Sequence, residues 1–271
     1  MTNAENSGRQ PADATRDEAD GILTVTFTRD RKLNAVTGDM LELLRAAVTD
    51  LAERDDLRVL IITAVGRYFT AGADITALPV GETGPNVPGS RFRRNYRRLH
   101  ELFDEIEAVE KPVILAAQGP CLGIGVELSA SCDFRFGSSR SRFGLPEVRN
   151  IATLPGSGGI SRLTRLVGPH WTKWIAMAGQ QVDAGQALSA GLLHAVYPEE
   201  GFIERVREFA ADLIGQPAEA LGLAKLVIDA AANSDRTSAR DLDRIANTSL
   251  IHSAEHQAKL DEFAARRPRQ P

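Results

Sequence analysis

The chain has 271 residues, of which 43% are hydrophobic, and a formal net charge of −4. That length allows one large domain, or a core with an appended helical piece, and leaves enough apolar residues to bury a sizeable core. The mild negative charge gives no general attraction to nucleic acid or to an anionic membrane, and no apolar run reaches the roughly 18 residues that a membrane span needs.

Residues 1–20 are polar and acidic, without the apolar core of a signal peptide or the Arg-rich bias of a transit peptide. They predict a disordered tail and a cytoplasmic protein. Residues 22–28 are β-rich and read as a strand. Thr37 has the chemistry of an N-cap, and Met40, Leu43, Leu44, Val48 and Leu51 form one stripe of a helix that runs to about Arg54. Val59-Leu60-Ile61-Ile62 is the continuous apolar run of a strand buried on both faces. A glycine turn follows, Phe69-Thr70-Ala71-Gly72-Ala73-Asp74-Ile75. Residues 81–89 hold two prolines and three glycines and read as a loop that, with its neighbours in 78–90, borders a ligand pocket.

From Ser90 the pattern is helical. Phe92, Tyr96, Leu99, Phe103 and Ile106 make the buried stripe, and Arg91, Arg93, Arg94, Arg97 and Arg98 read as its solvated face. Residues 113–117 predict another buried strand, followed by a second glycine turn, an apolar helix through Ser131 and a short strand at 133–136. Strand, turn and helix thus repeat, which is α/β architecture with crossover connections. Beyond Pro198 the pattern is almost wholly helical, with breaks at 215–217 and 233–235. The expected division is a tail at 1–20, a core at 21–200 and a C-terminal helical region at 201–271.

The chemistry concentrates in two glutamates beside turns. Glu127 closes Gly119-Pro120-Cys121-Leu122-Gly123-Ile124-Gly125-Val126-Glu127, and Glu147 lies in Phe143-Gly144-Leu145-Pro146-Glu147-Val148. The Gly72 turn lets backbone approach a ligand closely, so the amide of Ala73 is free to face a pocket. The Gly123 turn opens a helix, whose first N–H groups are unpaired, so the amide of Ile124 is a second candidate donor. Two donor turns and two carboxylates suit chemistry on a thioester carbonyl: the donors hold the developing enolate oxygen and the carboxylates move protons near it.

Other chemistries lack their parts. The chain has no Gly-x-Ser-x-Gly elbow, no phosphate-binding loop and no Gly-x-Gly-x-x-Gly fingerprint. His252 and His256 are four apart, but the intervening Ser253-Ala254-Glu255 is not the zinc-protease arrangement, and no metal ligand is assigned. Trp171 and Trp174 read as packing between a helix and the core. Cys121 and Cys132 fall in apolar segments and read as reduced packing residues.

These motifs, in this order and spacing, resemble the crotonase family, also called the enoyl-CoA hydratase/isomerase family, from about Gly21 to Pro268. The strongest segments are 61–75, 111–136, 143–147 and 155–168. The resemblance implies a spiral of repeated β-β-α units and a C-terminal helical region used in oligomerisation, as a homotrimer or a dimer of trimers. It implies that Ala73 and Ile124 form an oxyanion hole through their backbone amides. It also implies that Arg31, Leu33, Ala71, Asp74 and Ile75 line the CoA site, and that Phe263 and Arg266 reach a CoA bound to a neighbouring subunit. CoA is then part of an acyl-CoA substrate, and no separate cofactor is expected. Both hydratase carboxylate positions are filled, by Glu127 and Glu147. That favours reversible hydration of a 2-enoyl-CoA over double-bond isomerisation or thioester hydrolysis. The stretch 147–155 is one residue longer than the usual hydratase spacing. Ile124 replaces the commoner glycine, and the usual proline before Leu33-Asn34-Ala35 is missing.

Overall fold

The computed structural model of the chain describes residues 12–76 and 86–266, the side chains of Asn95 and Arg266 excepted. Strand β2 (Ile22–Phe27) is buried along almost its whole length because parallel sheet covers it beyond its edge partner. That edge partner is β1 (Ala14–Ala19), paired antiparallel with it. The expected tail of 1–20 is therefore corrected: residues 14–19 are a strand, and residues 1–11 lie outside the described residues. Its composition hides it, since only Ala14 is buried and residues 16–18 are all charged. Arg16 pairs with Asp50 at 2.7 Å and Glu18 with Arg54 at 2.8 Å. Charged side chains of this kind keep an edge strand from pairing with other chains.

Helix α1 (Gly38–Glu53) starts where expected, with the Thr37 side chain accepting from Met40 N. The apolar run becomes β3 (Val59–Ala64), buried at every residue. Then come α2 (Gly89–Ala108), β4 (Val113–Ala117), the short β5 (Cys121–Leu122) and α3 (Ile124–Ser131). Next are β6 (Phe134–Ser138), β7 (Arg142–Gly144) and α4 (Glu147–Ile151). Helix α5 (Gly159–Thr172) is kinked at Gly168 and runs into a π turn at Lys173–Met177. Strand β8 (Val182–Asp183), α6 (Ala184–Ser189) and β9 (Ala195–Tyr197) complete the core strands.

The main sheet has the order β1-β2-β3-β4-β6-β9, parallel from β2 onward. A second wall is built from isolated bridges and short strands: Val36 to Ala73, Thr70 to Cys121, β5 to β7, and β7 to β8. The main-sheet strands β2, β3, β4 and β6 are thus each followed by a segment of the second wall and then a helix. That is the expected spiral of β-β-α turns, and it stacks the Gly72 turn directly on the Gly123 turn.

The boundary expected at 200 moves. Helix α7 (Phe202–Ile214) buries Phe202, Val206 and Ala210 in a cluster with Val59, Ile61, Ile114 and Phe136 on the outer face of the main sheet. It belongs to the core because a parallel sheet needs both faces covered. Helices α8 (Ala218–Ala231), α9 (Arg236–Ile251) and α10 (Ala254–Arg266) lie outboard, with the breaks at 215–217 and 232–235. Lys225 anchors α8 to the core through Asp133 at 2.9 Å. Helix α9 has no buried residue. Trp171 packs on the core as expected, whereas Trp174 is 48% exposed, because the π turn rotates it outward. Arg93, Arg94, Arg97 and Arg98 are exposed, as the solvated face of α2. Among the described residues no helix is long and apolar enough to cross a membrane.

Candidate active site

Two backbone turns meet at the start of α3. Val36 N donates to Gly72 O and Asp74 N donates to Val36 O, both at 2.9 Å. In this parallel bridge the intervening amide, that of Ala73, points to the other side and donates to no protein group among the described residues. Thr70, fully buried, braces the turn: its hydroxyl donates to Asn34 O at 2.7 Å and accepts from Gly72 N at 3.1 Å. The neighbouring turn is closed by Gly123 N donating to Gly144 O at 2.9 Å. Gly123 sits at φ 56° and ψ −124°, a conformation open to glycine alone. Ile124 follows as the first residue of α3, and its amide likewise has no protein acceptor among the described residues. A Cβ at Gly123 would lie 3.4 Å from Gly72 Cα, so the two turns touch. Two free amides on abutting turns can hold one oxyanion.

The two carboxylates lie near enough for Glu127 to feel the charge of Glu147. A Cβ at Gly123 would lie 2.8 Å from Glu147 Oε1, so that carboxylate sits over the turn. The longer stretch after Glu147 does not draw it away. It forms α4 and closes at Ala152, which adopts the left-handed conformation at φ 52°. Glu127, one turn into α3, is only 3% exposed. Its Oε2 accepts from Ser157 N at 2.6 Å and from Gly159 N at 3.2 Å, at the start of α5. Gly159 has no side chain there because a Cβ would lie 2.7 Å from Glu127 Cγ.

Burial pushes both carboxyls up. Glu127 rises to about 7, with the two amides opposing and the Glu147 charge adding to the rise. Glu147 rises through burial, and its Oε2 is buried without a hydrogen-bond partner. The backbone donors at Glu127 favour its anion and oppose the rise, whereas no donor reaches Glu147 Oε2. The Tyr96 phenol is also held up, first by burial and next by the Glu127 charge, and it lies beside Ser157.

This arrangement has a consequence for stability. A glutamate that ionises near 4.5 when unfolded and near 7 when folded stabilises the fold below the lower value and loses that contribution as pH rises through the upper one. Glu127→Gln should therefore stabilise the protein at about pH 8 by on the order of 2 kcal/mol, and the gain should shrink below about pH 5. Denaturant unfolding at the two pH values checks this; a variant less stable at the higher pH would contradict it.

The residues expected at the CoA site come together in part. Leu33 O accepts from Ala71 N at 2.9 Å, which joins the 3-10 turn Asp30–Lys32 to the Gly72 turn. Arg31 lies on that turn and pairs with Asp13 at 2.9 Å. Asp74 is committed locally: Thr76 first, and then Arg29 at 2.9 Å, hold its carboxyl down at about 2. Ile75 is 79% exposed beside it. Phe263 is 63% exposed on α10, the last helix and outboard of the core. The Arg266 side chain and most of the 78–90 loop lie outside the described residues. The sequence reading missed Ser157 and Gly159 as the groups that hold Glu127. Their signal was the glycine-rich run Gly156-Ser157-Gly158-Gly159 opening a helix. Among the described residues no group of three or more His, Cys, Asp or Glu is placed to hold a metal ion.

The family description Enoyl-CoA hydratase/isomerase matches residues 17–270. The short-chain-enoyl-CoA hydratase of Clostridium acetobutylicum is 33% identical over 215 residues, 79% of this chain and 80% of that protein. The crotonyl-CoA hydratase of Syntrophomonas wolfei is 34% identical over 224 residues, 82% of this chain and 81% of that protein. The crystal structure of an enoyl-CoA hydratase from Bacillus anthracis superposes with a TM-score of 0.85 at 28% identity, covering 94% of this chain and 97% of that one.

Proposed function

The chain belongs to the enoyl-CoA hydratase/isomerase family, and from that premise we propose how its residues carry out the reversible hydration of a 2-enoyl-CoA to a 3-hydroxyacyl-CoA. It is an enzyme of the hydratase type, a lyase. The observation that carries the assignment of residues is Glu147 sitting over the turn that frees the Ile124 amide, with Glu127 in the first turn of the helix that this turn opens. The thioester oxygen lies between the amides of Ala73 and Ile124. Glu127, ionised, takes a proton from a water as its oxygen attacks C3. The electron pair of the double bond moves to C2 and the thioester oxygen, where the two amides hold the charge. Glu147, protonated, delivers its proton to C2, so one proton is taken up and one is given. This scheme uses no metal or redox cofactor; CoA arrives as part of the substrate.

Leu33 and Ala71 present backbone to the CoA moiety, Arg31 and Ile75 stand at its edge, and Asp74 holds their loop in shape. Two buried, unpaired cysteines, Cys121 and Cys132, support a reducing compartment such as the cytoplasm. The test is product analysis. Crotonyl-CoA should give the 3-hydroxyacyl-CoA, and a 3-enoyl-CoA should turn over slowly. Faster conversion of the 3-enoyl-CoA to its 2-enoyl isomer would make isomerisation the main activity, and release of free CoA would make it hydrolysis.

The outboard helices are proposed as the assembly region. Ile228, Ile245, Ile251 and Phe263 are each more than half exposed, an apolar surface that a monomer rarely leaves open. Sedimentation at micromolar concentration is expected to show a trimer or hexamer. A clean monomer would contradict this, and would remove Phe263 and Arg266 from a neighbour's CoA site.

A further inference from the structure

We propose that His100 is a positioning residue for Glu127, acting through the one peptide group that joins Gly156 to Ser157. The proposal rests on the assignment of Glu127 as the base. His100 lies on α2, one helical turn after Tyr96 and one before Asp104. Its Nε2 is hydrogen-bonded to the Gly156 carbonyl oxygen. A carbonyl oxygen only accepts, so Nε2 carries the proton and donates. The N–H of that same peptide group belongs to Ser157, and it donates to Glu127 Oε2 at 2.6 Å. The C=O and N–H of a trans peptide point in opposite directions. Imidazole and carboxylate therefore stand on opposite sides of one peptide plane, joined by two hydrogen bonds in series. A donor at the oxygen polarises the group and makes its N–H the stronger donor.

The next peptide is gripped as well. Arg162 Nη1 donates to Ser157 O at 2.7 Å, and its Nη2 pairs with Asp104 at 2.5 Å and Glu107 at 2.8 Å. Helix α2 thus grips the turn directly through His100 and indirectly through Arg162, which Asp104 and Glu107 hold, and the bond from His100 is the one in line with Glu127. The other charged or titratable groups that act on Glu127 are Glu147, which raises it, Arg162, which opposes that rise, and the nearby Tyr96 phenol.

The test uses the full chain and crotonyl-CoA. His100→Leu keeps bulk and removes the donor; His100→Gln keeps a donor. With the donor lost, ionised Glu127 is less favoured and the acid limb of the kcat profile moves to higher pH. The expected result for His100→Leu is a fall in kcat of about tenfold near pH 6.5, with KM within about twofold and the deficit closing toward about pH 8.5. His100→Gln should recover most of it. A folded His100→Leu with the wild-type profile, or His100→Gln as impaired as His100→Leu, overturns the proposal. If the variants do not fold, NMR of wild-type protein carrying 15N-labelled histidine decides: Nε2 of His100 must be protonated, and an unprotonated Nε2 overturns it. Glu127→Gln run in parallel separates the two layers. An active Glu127→Gln removes both the base assignment and this proposal; an inactive one beside an unchanged His100→Leu removes this proposal alone.

Discussion

Glu127→Gln and Glu147→Gln are each expected to lower turnover of a 2-enoyl-CoA by on the order of 10²-fold or more, with CoA binding retained. Each substitution keeps the shape of the side chain and removes its ability to exchange a proton. The losses should differ in kind. Glu127 accepts from the Ser157 and Gly159 amides, and a glutamine oxygen can keep those bonds while the base is lost. Glu147 has a buried oxygen without a partner, so its variant loses the acid without disturbing a bond at that oxygen. The double variant should be little worse than either single one, because the two carboxylates act in one proton circuit. Near-normal hydration by either single variant would rule out the scheme. Steady-state kinetics with a parallel CoA-binding measurement distinguishes lost chemistry from lost binding.

A comparable loss is expected at Gly123. Valine there meets two obstacles: φ is 56°, and its Cβ would lie 2.8 Å from Glu147 Oε1. Either relief of the backbone or displacement of Glu147 turns the Ile124 amide away from its target. Losing one such donor costs about 3 kcal/mol of transition-state stabilisation, on the order of 10²-fold in kcat. Gly125→Val should fail as well, since its side chain would collide with Thr70, which braces the other turn. Ile124→Ala, in contrast, keeps the amide and should retain substantial activity. Ile124→Gly tests the same point less cleanly, because the Ile124 side chain is only 5% exposed in the core and its full removal costs roughly 2–5 kcal/mol of stability. Kinetics on folded variants decides the matter. Full activity in Gly125→Val together with none in a folded Ile124→Ala would transfer the function from the backbone to the side chain.

The sequence by itself determined the parts whose signal is local. Val59 to Ile62 could only be a strand buried on both faces, Thr37 could only begin a helix, and the glycines at 72, 123 and 125 marked where backbone comes close to something else. The order of those motifs around Glu127 and Glu147 carried the family and the hydratase chemistry with it. Only the tertiary structure decided what reaches across the chain. Strand β1 was invisible because its stability comes from backbone pairing with β2 and from ion pairs, not from apolar side chains. Helix α7 read as part of the C-terminal helical region until the sheet face that it covers was known. The grip on Glu127 comes from amides 30 and 32 positions away; the glycine-rich run at 156–159 marks a helix start, but nothing in it says which side chain those amides hold. His100 stood in a helix with nothing to mark it, since its partner is a carbonyl oxygen 56 residues on. Side-chain patterns are written in the sequence; contacts made by the common backbone, between segments brought together only by folding, are not.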